Sequence, residues 1–260
     1  MELTVACIVQ LLNEADEETF AVLERSLEAD GRKGVRRAVA QARRRLDRQA
    51  AERARLDGLY AFERELAGRP DAVVVGLDEA GRGPLAGPLA VGAVVLGQER
   101  IEGLNDSKQV KEADRSRLAQ AVREKALACH VEFVEPAVID EVGMARALRL
   151  AFSRALAAVE AGGVAADVVL VDGNPLHIDP REVNVVKGDA RCAAIAAASI
   201  VAKVARDALM VEYDKEYPGY GFAQNKGYGS AGHLRAIDEL GLTPIHRASF
   251  CTRIEQPSLF

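Results

Sequence analysis

The sequence predicts an α/β protein in which a mixed β-sheet is flanked by helices and preceded by a small all-helical segment. Three observations predict it. Residues up to Ala67 carry helical apolar spacing and no proline, Gly68-Arg69-Pro70 interrupts that pattern, and short β-rich runs then alternate with longer helical ones. The expected division is a helical extension over 1–69, a main domain over 70–252 and a tail over 253–260.

In the extension, residues 1–30 hold eight acids (Glu2, Glu14, Asp16, Glu17, Glu18, Glu24, Glu28, Asp30) against Arg25 alone, with helical spacing. From Gly31 to Arg55 the balance inverts to ten basic residues against Asp47 and Glu52. Two or three helices are expected here. In the main domain, Ala72 to Leu77, Leu89 to Leu96, His130 to Val134, Val168 to Val171 and Val183 to Val186 read as strands. Lys111 to Ala128, Met144 to Ala161, Ala190 to Tyr213 and Ala231 to Leu240 read as helices. Early strands joined by turns, then strands alternating with helices, make the sheet mixed.

Composition narrows the class. At 260 residues, with 49% hydrophobic and 28% charged residues, the chain suits a globular protein with a sizeable core. The longest nearly apolar run, Ala193 to Ala202, is far shorter than the roughly 20 residues that span a bilayer, and Met1-Glu2-Leu3 begins no basic signal-peptide region. A cytoplasmic address is expected. Cys7, Cys129, Cys192 and Cys251 are scattered without a CxxC pair, so they read as small core residues rather than zinc ligands or disulfides. The net charge of −5 argues against a generally basic nucleic-acid binder, yet leaves room for a local patch such as Gly31 to Arg55.

Chemistry enters with acids that end apolar strands. Asp78 and Glu79 follow Val73 to Leu77, Asp172 follows Val168 to Val171, and Asp189 follows Val183 to Val186. Ligand sites of α/β sheets gather at strand ends, so these carboxylates can converge. Clustered acids must share protons or bind a cation, and oxygen ligands without His or Cys favour Mg²⁺ or Mn²⁺. Two such ions about 4 Å apart would activate water and stabilise a leaving oxygen at a phosphodiester. Asp172, before Gly173, reads equally as a turn residue or cap. Adjacent strand residues point to opposite faces, so Asp78 and Glu79 share a site only if the chain bends or Glu79 uses its carbonyl.

Gly81-Arg82-Gly83-Pro84 exposes backbone amides, and alone is a plain turn. Joined to the carboxylates as GLDEAGRGPLAGP (Gly76 to Pro88), it resembles the ribonuclease HII family of bacteria. The resemblance spans about residues 70 to 252. It continues through Asp106-Ser107-Lys108, Val171-Asp172-Gly173, Lys187-Gly188-Asp189, Ala193 to Asp207, Asn225-Lys226-Gly227-Tyr228-Gly229 and His246-Arg247-Ala248-Ser249-Phe250. It implies a ribonuclease H-like fold and an endonuclease that cuts the RNA strand of RNA/DNA hybrids and nicks 5′ of ribonucleotides in duplex DNA. Cleavage would leave 3′-OH and 5′-phosphate ends. By the same resemblance Asp78, Glu79, Asp172 and Asp189 would hold two Mg²⁺ or Mn²⁺ ions when substrate is present. Gly81, Arg82 and Gly83 would contact the ribonucleotide 2′-OH, Lys108 a phosphate, and Tyr228 the next deoxyribose.

Other residues read less sharply. Lys203 and Arg206 share a helix face that suits phosphate or a surface ion pair, and His246 reads as a capped or core histidine. Gly143-Met144 stands where relatives usually carry Asn-Ile, which bears on substrate affinity or site preference. The basic stripe suits accessory hybrid binding, with a solvated helix face as the alternative. Gln256-Pro257-Ser258-Leu259-Phe260 resembles the peptide by which replication and repair proteins dock on the sliding clamp. No feature points to an obligate dimer, so a monomer is expected. A ribonuclease HIII-type enzyme and a non-catalytic hybrid-binding protein remain as alternatives. Arg82-Gly83-Pro84 and the helical extension favour ribonuclease HII over HIII, and the four carboxylates argue against a non-catalytic protein.

Overall fold

The structure, a computed structural model, describes residues 3–69 and 71–252. It divides into two compact units at Asp57 and Gly58. The first holds α1 (Val5–Glu14), α2 (Glu17–Leu27) and the start of α3 (Lys33–Ala67). Capping follows the sequence: the Thr4 hydroxyl accepts from the Cys7 amide, and Asp16 accepts from the Thr19 amide ahead of Glu17 and Glu18. Ile8, Leu12, Phe20, Val35, Ala42 and Leu46 form the core of this unit. Arg43 pairs with Glu24, and Arg45 donates to the carbonyls of Leu12 and Ala15 where α1 ends. Part of the basic stripe is therefore spent internally, while Lys33, Arg37, Arg44 and Arg48 stay exposed.

The second unit begins with the tail of α3 and builds the mixed sheet β3-β2-β1-β4-β5. Its strands are β1 (Val74–Ala80), β2 (Leu89–Leu96), β3 (Ala126–Val134), β4 (Val168–Asp172) and β5 (Glu182–Val185). β1, β2 and β3 pair antiparallel, whereas β4 runs parallel to β1 and β5 parallel to β4. β2 and the helices α6 (Met144–Ala161) and α9 (Ala231–Leu240) have the predicted limits. β1 instead runs on through Asp78 and Glu79, because Asp78 to Ala80 pair with Gly92 to Ala90 of β2. Tertiary pairing there outweighs the poor strand propensity of acids. β3 likewise starts at Ala126 and shortens the preceding helix α4 to Glu112–Lys125. α5 (Pro136–Val142), α8 (Phe222–Asn225) and α10 (Ala248–Cys251) are too short to leave a periodic signal.

Alternation in β1 decides which helix covers which face. Val75 and Leu77 join Val91, Ala93, Val169 and Val171 beneath Ala151, Phe152 and Ala155 of α6. Val74, Leu170 and Val185 lie with Cys192, Ala194 and Ile195 at the start of α7 (Ala193–Glu216). α7 lies unusually close to the sheet, since a Cβ on Gly76 would sit 2.3 Å from the Ala194 carbonyl carbon and one on Gly92 2.3 Å from the Ala198 oxygen. The cysteines correct one expectation: Cys192 and Cys251 are buried and Cys129 half-buried, but Cys7 is exposed on α1, where its neighbours Ile8 and Leu12 take the inner face. Among the described residues, no helix is long and apolar enough to cross a membrane.

Candidate active site

Four predicted acids come from three adjoining elements. Parallel pairing of Leu77 with Val171 sets Asp78 beside Asp172 where β1 and β4 stop pairing and β4 ends. β5 lies next, and after Lys187, held in a left-handed conformation (φ 56°), a 3-10 turn at Gly188–Ala190 carries Asp189. Asp172 accepts from the Gly188 amide at 2.6 Å, which ties that turn to the end of β4. β1 remains paired past Glu79, so the anticipated bend falls at Gly81 and not between the two acids.

Electrostatics join the four. Asp78 is 5% exposed, and burial pushes its carboxyl well above the usual range, with the charges of Glu79 and Asp172 adding to the shift. Burial also raises Glu79, reinforced by Asp172 and opposed by Arg82 and Lys108. Asp189 is raised by burial, then by Asp106 and Asp172, against the pull of Lys108. The charge of Asp172 thus reaches all three other acids. Among the described residues, no three acidic, histidine or cysteine side chains form a ready-closed metal-ligand set. The donors are nonetheless all carboxylates, buried (Asp78, Asp189) or half-buried (Glu79, Asp172) and mutually repelling, a chemistry that suits a hard divalent cation.

Of the predicted substrate residues, Lys108 and Arg82 border this cluster. Lys108 Nζ lies 3.5 Å from Asp189; burial alone would lower its ammonium, but Asp189, Asp106 and Asp78 outweigh that and raise it. The Arg82 guanidinium is exposed and 3.7 Å from Glu79. Gly81 has φ 86°, and a Cβ there would lie 2.0 Å from Arg206 Nε. Tyr228 is 47% exposed.

Several partners escaped the sequence reading. Ser199 hydrogen-bonds to Asp78 and lies 2.8 Å from the Ser107 hydroxyl, so a chain from Ser107 to Ser199 to Asp78 favours the carboxylate form. Its signal was a lone hydroxyl in the apolar run Ala193 to Ala202. Of the two readings of Lys203 and Arg206, the ion pair holds for Lys203, which meets Asp207 at 2.7 Å, and neither holds for Arg206, which is buried and donates to the carbonyls of Pro88, Lys226 and Ala86. Helical spacing cannot tell an outward arginine from one drawn in by loop carbonyls. His246 is a core histidine, held to about 4 by burial and by His233, whose Nε2 lies 3.1 Å from its own. Glu63 of α3 is half-buried, accepting from the Ala194 amide at 2.7 Å at the head of α7, and desolvation raises its carboxyl.

A mixed five-stranded sheet flanked by helices, with acids converging at the ends of its central strands, is the frame of a ribonuclease H-like nuclease domain. The chain belongs to the ribonuclease HII family: residues 75–253 match the family model for ribonuclease HII, and residues 4–67 match that of the ribonuclease HII N-terminal domain. Among solved structures it is similar to the ribonuclease H2 of Pyrococcus horikoshii OT3, with 28% identity, a TM-score of 0.60 and coverage of 70% of this chain and 96% of that one. It is also similar to the RNase HII in the PCNA:RNase HII complex from Archaeoglobus fulgidus, at 24% identity and TM-score 0.61, covering 72% and 98%. Bst-RNase HIII shares the fold at 21% identity and TM-score 0.60, covering 70% and 68%. The protein is a ribonuclease H, a hydrolase of a metal-dependent endonuclease family that acts on RNA–DNA hybrids.

Proposed function

We propose that this ribonuclease H is of the HII type and nicks 5′ of ribonucleotides in duplex DNA as well as cutting longer hybrids, leaving 3′-OH and 5′-phosphate ends. The observation that carries the reading is the shared field of Asp78, Glu79, Asp172 and Asp189, all coupled through Asp172. These four would hold two Mg²⁺ or Mn²⁺ ions in the presence of substrate, with side-chain rotation closing the set. Divalent ions bound there supply water activation and stabilisation of the leaving oxygen. Lys108 and Arg82, exposed and cationic beside the acids, orient phosphates. The Arg82 and Gly83 amides, exposed and donating to no described acceptor, meet the 2′-OH, and Tyr228 offers its ring to the following sugar. An all-helical first unit matching the HII N-terminal domain favours this type over HIII.

The test is cleavage of duplex DNA with one embedded ribonucleotide, in Mg²⁺, Mn²⁺ or EDTA. A nick in both metals and none in EDTA is expected, rising toward alkaline pH as the raised acids deprotonate; absence of any metal-dependent nick would overturn the reading. The peptide Gln256-Pro257-Ser258-Leu259-Phe260 lies outside the described residues, and with a relative solved as a PCNA:RNase HII complex it is read as a sliding-clamp ligand. Removing Leu259 and Phe260 should abolish co-purification with a clamp, and undiminished capture would count against that role. A cytoplasmic monomer fits this work on DNA.

A further inference from the structure

Two arginines absent from the chemistry above are among the most deeply buried side chains, Arg206 at 1% and Arg247 at 0% exposure. Among the described residues neither forms an ion pair; both spend their donors on backbone carbonyls. Arg247 gives five hydrogen bonds of 2.6–3.1 Å, to Gly81, Arg82, Pro84 and, twice, Gly87. Arg206 gives three, to Ala86, Pro88 and Lys226. A buried unpaired cation is costly unless every donor is satisfied, and burial together with the charge of Arg206 pulls Arg247 down to about 10. Nothing in a merely apolar core requires this arrangement; an ordered carbonyl-rich loop does.

The consequence is polarity on one side. Carbonyls of Gly81 and Arg82 are tied to Arg247, while the Arg82 and Gly83 amides keep their donors. The same lattice reaches Tyr228: the Gly227 carbonyl accepts from Leu85 and Ala86 amides, and Arg206 bridges Ala86 to Lys226. We propose that Arg247 and Arg206 are positioning residues that template the Gly81–Gly87 loop and bind it to the Lys226–Tyr228 segment as one rigid reader, setting selectivity for the ribonucleotide junction.

This rests on the substrate reading above, and the test separates the two. Arg247→Lys and Arg206→Lys keep charge but lose the planar five-donor fork. Each is compared with the unsubstituted enzyme on a single-ribonucleotide duplex and on a continuous hybrid. The ratio of kcat/KM for the first over the second should fall roughly 10–100-fold, mostly through the single-ribonucleotide substrate, because misplacement of a contact by an ångström has an effect of that size. An equal proportional loss on both substrates, or none, would overturn the inference. An unsubstituted enzyme without preference for the ribonucleotide would instead sink the substrate reading. Should the variants not fold, amide exchange of the unsubstituted protein decides: Leu85, Ala86 and Gly87 amides as slow as those of β1 support the template, and loop-like rates refute it.

Discussion

Asp78 is a residue that folding alone would select against. Burial and two neighbouring acids raise its pKa, so the folded state holds that proton more tightly than the unfolded chain does. The sign is then fixed: without cations, stability falls as pH rises above the unfolded carboxylate value of about 4. Glu79 and Asp189 contribute in the same direction. Asp78→Asn removes the charge at nearly constant volume. In EDTA its Tm should exceed that of the unsubstituted protein, with the gap widening from pH 5 to 8, while cleavage in Mg²⁺ is abolished and hybrid binding survives. A lower Tm throughout, together with lost binding, would mean that the residue is structural. Sequence reading singled out Asp78, Glu79, Asp172 and Asp189 because acids that follow apolar runs leave a pattern. It did not reach Ser199 or the part played by Arg247, and it set Arg206 on an outward face, because these roles depend on which way a side chain turns within a helix or loop.

At the scale of elements, close contact between α7 and the sheet sets where the site lies. Gly76 and Gly92 let the helix backbone settle against β1 and β2, which brings Ser199 to Asp78. Gly92→Ala would force a Cβ toward the Ala198 carbonyl, a backbone atom that cannot swing aside. Overpacking of this kind costs about 1–3 kcal/mol, and a backbone clash belongs at the upper end. Urea unfolding should show a lower midpoint at unchanged slope, with weakened cleavage as Ser199 is displaced; an unchanged midpoint would mean the helix stands off further than described. β2, α6 and α9 were legible to the residue because each is a long unambiguous run bounded by turn signals. The ends of β1 and β3 were not, since Asp78 to Ala80 and Ala126 to Cys129 become strand only through pairing with the neighbouring strand β2. Neither propensity nor period carries that information.

At the scale of the molecule, the ribonuclease H-like sheet and the helical extension were both foreseen, but the compact units meet at Asp57 and Gly58, inside α3. Accessory hybrid binding through Lys33, Arg37, Arg44 and Arg48 is best tested by removing residues 1–57, because a cut at 68 would also remove Glu63 from beneath the Ala194 amide. The truncated enzyme should keep its turnover, bind hybrid more weakly and lose about 0.9 of log–log salt slope for every phosphate contact removed. An unchanged slope would assign those basic side chains to solvent. The tail of α3 also bears on how the chain is made. Phe62, Leu66 and Ala67 pack against Val74, Leu170, Val185 and Ile195, and Arg191 covers the Phe62 ring at 4.2 Å. On a ribosome that tail emerges more than a hundred residues before Leu170, Val185 and Ile195. At ordinary rates of synthesis it waits on the order of ten seconds with its apolar side uncovered. A nascent chain stalled before residue 166 should therefore recruit holdase chaperones to this stretch, and one released after residue 216 should not.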